Sequence, residues 1–331
     1  MRHDPAPSRL RPAPSRRSLL TAALASPALL TASPARADHG GTHVLTAHPA
    51  AFALASALAQ GTGITIRTVQ PAKLPASRLA SYLGGRGAAE LADATTDADA
   101  VLTFRSFWPQ DPLFAHARRS RIRIVEIDAG RPLDEELPGI ALYEPASDPA
   151  IYRALDLDPM VASGVEQAPW LSPATLTQML AITAADFARL DIPSTGRIAA
   201  NRESLSARLR DIRSRADLAL AQASDLSCVT LDPAASYLAA DLGLDLLGEI
   251  IAAPREWTPD RIRRLLAWLS DHDTRVVLHG GALDDVQSAL QSAGIGLVEL
   301  VEIPADATDP TPILAENLDR LARVFTPDSA K

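Results

Sequence analysis

The stretch NRESLSARLRDIRSRADLALAQAS, residues 201–224, decides the fold that this sequence predicts. It contains no Gly or Pro, and four apolar residues recur on one helical face: Leu205, Leu209, Ile212 and Ala216. A helix of this length would be about 36 Å long, because an α-helix rises 1.5 Å per residue. That is long for a helix inside a compact lobe. We therefore predict that residues 196–225 form a linking helix between two lobes; a simple surface helix is the alternative.

Short β-rich runs lie on both sides of this helix and alternate with amphipathic helices. Strands are predicted at 43–47, 63–69, 100–104, 122–127, 226–231, 275–279 and 296–302. Ser172-Pro173 and Thr258-Pro259 each look like a helix N-cap followed by Pro at the first helical position. Residues 128–166, rich in Pro, Asp and Glu, predict loops with short helices. Strands alternating with helices predict an α/β fold with parallel sheets, in an N-terminal lobe at 38–195 and a C-terminal lobe at 226–331.

Composition excludes several classes of protein. Of the 331 residues, 47% are hydrophobic and 22% charged, which is typical of a globular chain. The net charge of −8 argues against nucleic-acid binding. The single cysteine, Cys228, excludes an internal disulfide and a cysteine-based zinc site. No nucleophile elbow or phosphate-binding loop is present, and no spacing links Ser, His and Asp into a triad. We therefore predict a protein that is not an enzyme; an exported hydrolase is the less favoured reading.

Residues 1–37 have the pattern of an export signal. Arg16-Arg17 precede an Ala/Leu-rich run that ends at Leu30, and Ala35-Arg36-Ala37 is a small-x-small cleavage pattern. The paired arginines resemble a twin-arginine signal; an ordinary Sec signal is the alternative. No later apolar run reaches the roughly 18 residues of a membrane-spanning helix. The sequence thus predicts a periplasmic protein whose signal is cleaved near Ala37.

Three polar residues follow predicted strands of the C-terminal lobe: Asp232, His279 and Glu302. In open α/β sheets, ligands bind beyond the carboxyl ends of the strands, which makes these residues candidate ligands. The alternative is that they are ordinary polar residues after strands. Two further histidines, His39 and His43, are predicted to be solvated residues of a mobile N-terminus; loose binding of a metal ion is the alternative.

Several short motifs in order along the chain resemble those of the metal-binding solute receptors of zinc and manganese ABC importers. They are Ala98-Asp99-Ala100-Val101, Pro169-Trp170-Leu171-Ser172-Pro173, Ala199-Ala200-Asn201, Asp232-Pro-Ala-Ala-Ser-Tyr237 with Leu242-Gly243-Leu244, Thr258-Pro259, and the strand ending in His279. The resemblance implies two α/β lobes joined by one long helix, with a metal ion held between them. It also implies a monomer that delivers a divalent ion, zinc or manganese, to a permease in the cytoplasmic membrane.

The metal ligands of that family are only partly matched here. Where the family has histidines, this chain has Ala168 two residues before Trp170 and Asp232 five residues before Tyr237. The family's glutamate corresponds to His279, and its late aspartate lies near Glu302. Its first histidine has no counterpart in residues 70–87. Asp232, His279 and Glu302 are therefore the expected metal ligands, and mixed nitrogen and oxygen ligands suit Zn²⁺ or Mn²⁺. The alternative is a receptor of the same fold for a chelated metal or a small organic ligand.

Overall fold

The computed structural model describes residues 41–74, 78–134, 136–143, 149–158, 167–281 and 283–326. Within these ranges, the strands are β1 (Thr42–Thr46), β2 (Ile64–Thr68), β3 (Ala100–Thr103), β4 (Val125–Asp128), β5 (Ser227–Thr230), β6 (Asp245–Glu249), β7 (Val276–His279) and β8 (Gly296–Glu299). The α-helices are α1 (Pro49–Ala59), α2 (Leu79–Leu83), α3 (Ala88–Asp97), α4 (Leu113–Ser120), α5 (Pro149–Leu155), α6 (Pro173–Leu190), α7 (Thr195–Leu220), α8 (Ser236–Leu242), α9 (Pro259–Asp271), α10 (Asp284–Ser292) and α11 (Thr311–Phe325).

The strands form two parallel sheets with the same connectivity. One has the order β2-β1-β3-β4 and the other the order β6-β5-β7-β8. We call these sheets, with the helices packed on them, the N lobe and the C lobe. Parallel strands need crossover connections, which the helices supply, so all carboxyl ends in a sheet meet at one edge. The predicted α/β fold of two parallel sheets is confirmed.

Two strand boundaries differ from the prediction by three residues, and one strand was not predicted. Strand β8 ends at Glu299, three residues before Glu302. Strand β4 begins at Val125, three residues after the predicted start. The unpredicted strand is β6 (Asp245–Glu249), whose short apolar run is broken by Gly248 and starts on an exposed aspartate. It pairs with β5 through a register shift. The strand is therefore stabilised by pairing with β5 more than by the β-propensity of its own residues.

The long linking helix is confirmed as α7, which ends at Leu220, five residues before the predicted end. The four residues of the predicted apolar stripe are buried, which contradicts the surface-helix alternative. The helix contacts α1 of the N lobe and α11 of the C lobe. On the N-lobe side, Asn201 Nδ2 donates to the carbonyl oxygens of Leu58 and Gln60, both at 2.8 Å. On the C-lobe side, Arg208 pairs with Asp309.

Helix α5 precedes α7 in the sequence but packs into the core of the C lobe. Ile151 and Leu155 belong to the same buried cluster as Val229 and Val277. The Tyr152 hydroxyl accepts a hydrogen bond from the backbone N–H of Ile251 at 3.0 Å. The chain therefore contributes α5 to the C lobe before it forms α6 and α7, which contact helices of both lobes.

The predicted N-cap Ser172 lies in a polar junction of three helices. Its hydroxyl accepts from Thr175 N and donates to Asp241 Oδ2 of α8 at 2.7 Å. The same Oδ2 accepts from Ala174 N at 2.8 Å, while Arg213 Nε of α7 lies 3.0 Å from Oδ1. Asp241 thus caps α6 and ties it to α7 and α8. The other predicted cap, Thr258, is confirmed at the start of α9.

Candidate functional site

The carboxyl-terminal edge of the C-lobe sheet brings together residues from three neighbouring strands. The order β6-β5-β7 places Glu249, Asp232 and His279 along this edge. Thr230, the last residue of β5, pairs with Glu249 on one side and with Leu278 on the other. This is the edge at which open α/β sheets bind ligands.

Asp232 is held in place by its own turn. Its Oδ1 accepts a hydrogen bond from Ala234 N at 2.8 Å, which caps the short 3₁₀ turn that starts at Pro233. Its backbone N–H is bonded to the Thr230 hydroxyl at 3.0 Å. Its Oδ2 lies against Gly280, where an added Cβ would be 2.0 Å from that oxygen. Glycine at 280 is therefore what allows the Asp232 carboxylate to lie against the end of β7.

His279 is only 3% exposed, and its ring orientation is set by a backbone carbonyl. Nδ1 lies 3.1 Å from the carbonyl oxygen of Gly281. Because a carbonyl oxygen can only accept, Nδ1 carries the proton and Nε2 carries the lone pair in the neutral ring. This arrangement is typical of metal-ligating histidines, whose other ring N–H is bonded to a carbonyl or carboxylate.

Strand alternation limits how Asp232 and His279 could share a ligand. His279 follows the face of Val277, whereas Asp232, two residues after Thr230, follows the face of Thr230. An ion that contacts both side chains would lie beyond the strand ends, above Gly280. Across the described part of the chain, no three His, Cys, Asp or Glu side chains are arranged to hold a metal ion.

Glu302 lies on the segment after β8 and is exposed. Its neighbour Val301 is fixed to α11, because Asn317 accepts from the Val301 N–H and donates to its carbonyl oxygen, both at 2.9 Å. Ile303 is buried, so the backbone is anchored on both sides of Glu302.

Sequence analysis missed Glu249 because it missed β6. Its side chain is 4% exposed, and its Oε1 accepts a hydrogen bond from the Ser236 hydroxyl at 3.0 Å. Burial raises the pKa of Glu249, the Ser236 bond opposes this, and the nearby negative charge of Asp232 raises the pKa further. The signal in the sequence was a polar residue that ends a run after Gly243, which is the C-cap of α8 in the left-handed conformation.

His48 is the residue that the analysis missed in the N lobe. It follows β1, and its Nδ1 accepts a hydrogen bond from Ala50 N at 3.1 Å as the N-cap of α1. Its ring packs on Trp170 and Phe104, with ring centroids 4.5 and 5.1 Å away. Because Nδ1 accepts, the neutral ring carries its proton on Nε2, which is the opposite tautomer to His279. His48 is therefore arranged to donate a hydrogen bond.

Two acidic residues, Asp111 in the loop after β3 and Asp128 at the end of β4, accept hydrogen bonds from neighbouring backbone and side-chain groups. Asp128 Oδ2 accepts from the hydroxyl and N–H of Ser106 at 2.7 and 2.9 Å. Asp111 Oδ1 accepts from Leu113 N at 2.9 Å. Burial raises the pKa of both carboxyls, and these hydrogen bonds oppose the shift. Their hydrogen bonds indicate that they brace the loops after β3 and β4.

The prediction that His43 is a solvated tail residue is wrong. His43 is the second residue of β1, and its N–H donates to Asp99 Oδ2 at 3.0 Å. Pairing with β2 and β3 orders this part of the chain. His39 and the export signal lie outside the described residues.

The C lobe is also hydrogen-bonded to the N-lobe segment that follows β4. The hydroxyl of Tyr237, in α8, accepts from Tyr143 N at 2.9 Å and donates to the carbonyl oxygen of Ala141 at 3.2 Å. The Tyr237 ring packs edge-on against Phe107. Since Tyr237 lies five residues after Asp232, the candidate ligand edge is fastened to the opposite lobe.

Solved structures with the same architecture include proteins that were determined with a bound metal ion. FpvC from Pseudomonas aeruginosa, solved in complex with Ni²⁺, is 18% identical with a TM-score of 0.65, and the match covers 88% of this chain and 99% of that one. A crystal structure of ZnuA is 15% identical with a TM-score of 0.62, covering 86% and 99%. A Mn-bound periplasmic metal-binding protein from Candidatus Liberibacter asiaticus is 12% identical with a TM-score of 0.63, covering 86% and 99%. At these identities the likeness shows the fold.

The two parallel sheets and the long helix thus give this chain the two-lobe fold of these structures. The sequence model of one family, described as the periplasmic zinc-uptake complex component A, ZnuA, matches residues 108–322. That is more than half of the chain, and the protein belongs to this family. No curated protein matches the sequence. Within the described ranges, no helix is long and apolar enough to cross a membrane.

Proposed function

We propose that the mature chain is a periplasmic solute receptor that captures a divalent metal ion, zinc or manganese, and delivers it to the permease of an ABC importer. Membership of the zinc-uptake family supports this proposal. The observation that carries it is His279, a buried histidine held in the metal-binding tautomer at the same sheet edge as Asp232. The protein acts by binding and release as a monomer, and it performs no chemical step.

The proposed ligands are Asp232, His279 and, from the segment after β8, Glu302. A carboxylate oxygen and a neutral imidazole nitrogen bind zinc at about 2.0–2.2 Å. Water molecules would complete the coordination. Export requires residues 1–37, with cleavage near Ala37, and leaves lobes at 38–195 and 226–331 linked by 196–225.

Calorimetric titration of Zn²⁺ and Mn²⁺ into the metal-stripped mature protein tests this proposal. Asp232→Ala and His279→Ala should each weaken binding at least tenfold. The matched control is His272→Ala, because His272 is an exposed histidine of the same lobe that stacks on Trp268. Binding should weaken as the pH falls, because protons compete with the metal ion for the nitrogen and oxygen ligands. Equal affinity in the unmodified protein and all three variants would exclude this site. If the unmodified protein bound neither metal, the proposed function would be refuted.

A receptor for a chelated metal or a small organic ligand is the second candidate. The N-lobe edge favours it, because it presents aromatic rings and a histidine in the hydrogen-donating tautomer instead of a metal-binding one. In that case the protein would bind a metal–citrate chelate but neither bare ion, and His48→Ala would weaken the binding.

A further inference from the structure

Glu249 is a buried acid that the fold does not neutralise. Its Oε1 is bonded to Ser236, whereas its Oε2 is buried and has no hydrogen-bonding partner among the residues that the structure describes. No cationic side chain in those residues forms an ion pair with it. A buried carboxylate oxygen is costly unless a donor or a cation pairs with it. The Glu249 carboxylate is therefore arranged to bind a cation.

The position of Glu249 directs that partner to the candidate site. Glu249 ends β6 and pairs in register with Thr230, so the two side chains lie on the same face of the sheet. Asp232 follows Thr230 by two residues on that face. Two residues of an extended chain span about 6–7 Å and neighbouring strands lie about 5 Å apart, so the Glu249 and Asp232 side chains leave that face close to each other.

We propose that Glu249 is a further ligand-binding residue that, together with Asp232, forms a two-carboxylate site for a hard divalent cation of the Mn²⁺ class. This inference rests on the proposed receptor function and specifies its metal. Carboxylate oxygens with water suit Mn²⁺, which favours octahedral oxygen coordination, whereas imidazole suits Zn²⁺ better. Glu249 thus shifts the preference of the Asp232 edge towards manganese.

The test uses the mature, metal-stripped protein and its Glu249→Gln variant. Gln keeps the shape and can keep the Ser236 bond, but it removes the negative charge. The matched control is Glu203→Gln, which removes an exposed carboxylate that pairs with Arg210 on α7. Binding of manganese chloride is followed by the electron paramagnetic resonance signal of free Mn²⁺, binding of zinc chloride by calorimetry, and the apo fold by circular dichroism melting.

We expect Glu249→Gln to lower Mn²⁺ affinity at least tenfold and Zn²⁺ affinity less, with an apo melting temperature no lower than that of the unmodified protein. Unchanged Mn²⁺ affinity would overturn the inference while leaving the receptor function intact. Equal losses for both metals would overturn the manganese preference. A lower apo melting temperature together with weaker binding would show that Glu249 is structural. If the unmodified protein binds neither metal, the receptor function itself fails.

Discussion

Asp241 provides the sharpest test of how the lobes are joined, because one carboxylate contacts three helices. Its side chain is 4% exposed and accepts from the Ser172 hydroxyl and Ala174 N–H of α6. Its other oxygen pairs with Arg213 of α7 at 3.0 Å. Asp241→Ala would remove all three contacts and leave the start of α6 without its carboxylate acceptor.

The expected loss can be built up from these contacts. A hydrogen bond to a charged group contributes about 1.5–3 kcal/mol, and loss of a helix cap costs about 1 kcal/mol. The ion pair adds at most about 1 kcal/mol, because Arg213 is 43% exposed. Since these contributions overlap, we expect unfolding free energy to fall by about 3 kcal/mol. For a chain of this size that corresponds to a melting temperature lower by about 6 °C.

Urea and thermal denaturation of the mature protein, followed by circular dichroism, measure this loss. Asp217→Ala is the matched control, because Asp217 lies 3.9 Å from the same Arg213 Nε but is 51% exposed. The control should change stability by less than about 0.5 kcal/mol. If the two variants melted within 1 °C of each other, Asp241 would not be a structural junction.

Two further predictions concern pH and export. Burial raises the pKa of Asp186 to about 6, so the folded chain keeps this proton between about pH 4 and pH 6, where the unfolded chain has released it. Stability should therefore fall by up to about 3 kcal/mol as pH rises through that window. In urea denaturation at pH 4 to 7, the unfolding free energy of Asp186→Asn should not show this fall with pH. The same fall in the variant and the unmodified protein would contradict the prediction. Replacing Arg16 and Arg17 by Lys should leave the precursor unprocessed in the cytoplasm. For the unmodified protein, mass spectrometry should find a mature chain that starts at Asp38. Normal processing of the double variant would favour a Sec signal.

The features that could be predicted from the sequence are those specified by local periodicity. The stripe from Leu205 to Ala216 marks α7 without any knowledge of its neighbours, and the Ser172 and Thr258 caps mark helix starts. Strand β6 was not predicted because its edge position and its glycine weaken the apolar pattern that marks a strand. The packing of α5 on the C lobe also escaped, since Ile151 meets Val229 only through tertiary structure.

The residues of the candidate site also differ in whether a local sequence pattern predicts them. Asp232 and His279 could be found because each directly follows or ends an apolar run, and the strand-end rule needs only that pattern. Glu249 required knowledge of β6. His48 required its contact with Trp170, which is more than a hundred residues away in the sequence. Glu249 and His48 are placed by such distant contacts, which no local sequence pattern contains.

The two buried histidines at strand ends show why position alone does not assign a ligand. His48 and His279 both follow the apolar part of a parallel strand, after β1 and at the end of β7. The backbone group that meets Nδ1 is an N–H donor for His48 and a carbonyl acceptor for His279. The first leaves a proton on Nε2 and the second leaves a lone pair. Of these two rings only that of His279 therefore has the tautomer that the proposed metal site at the C-lobe edge requires.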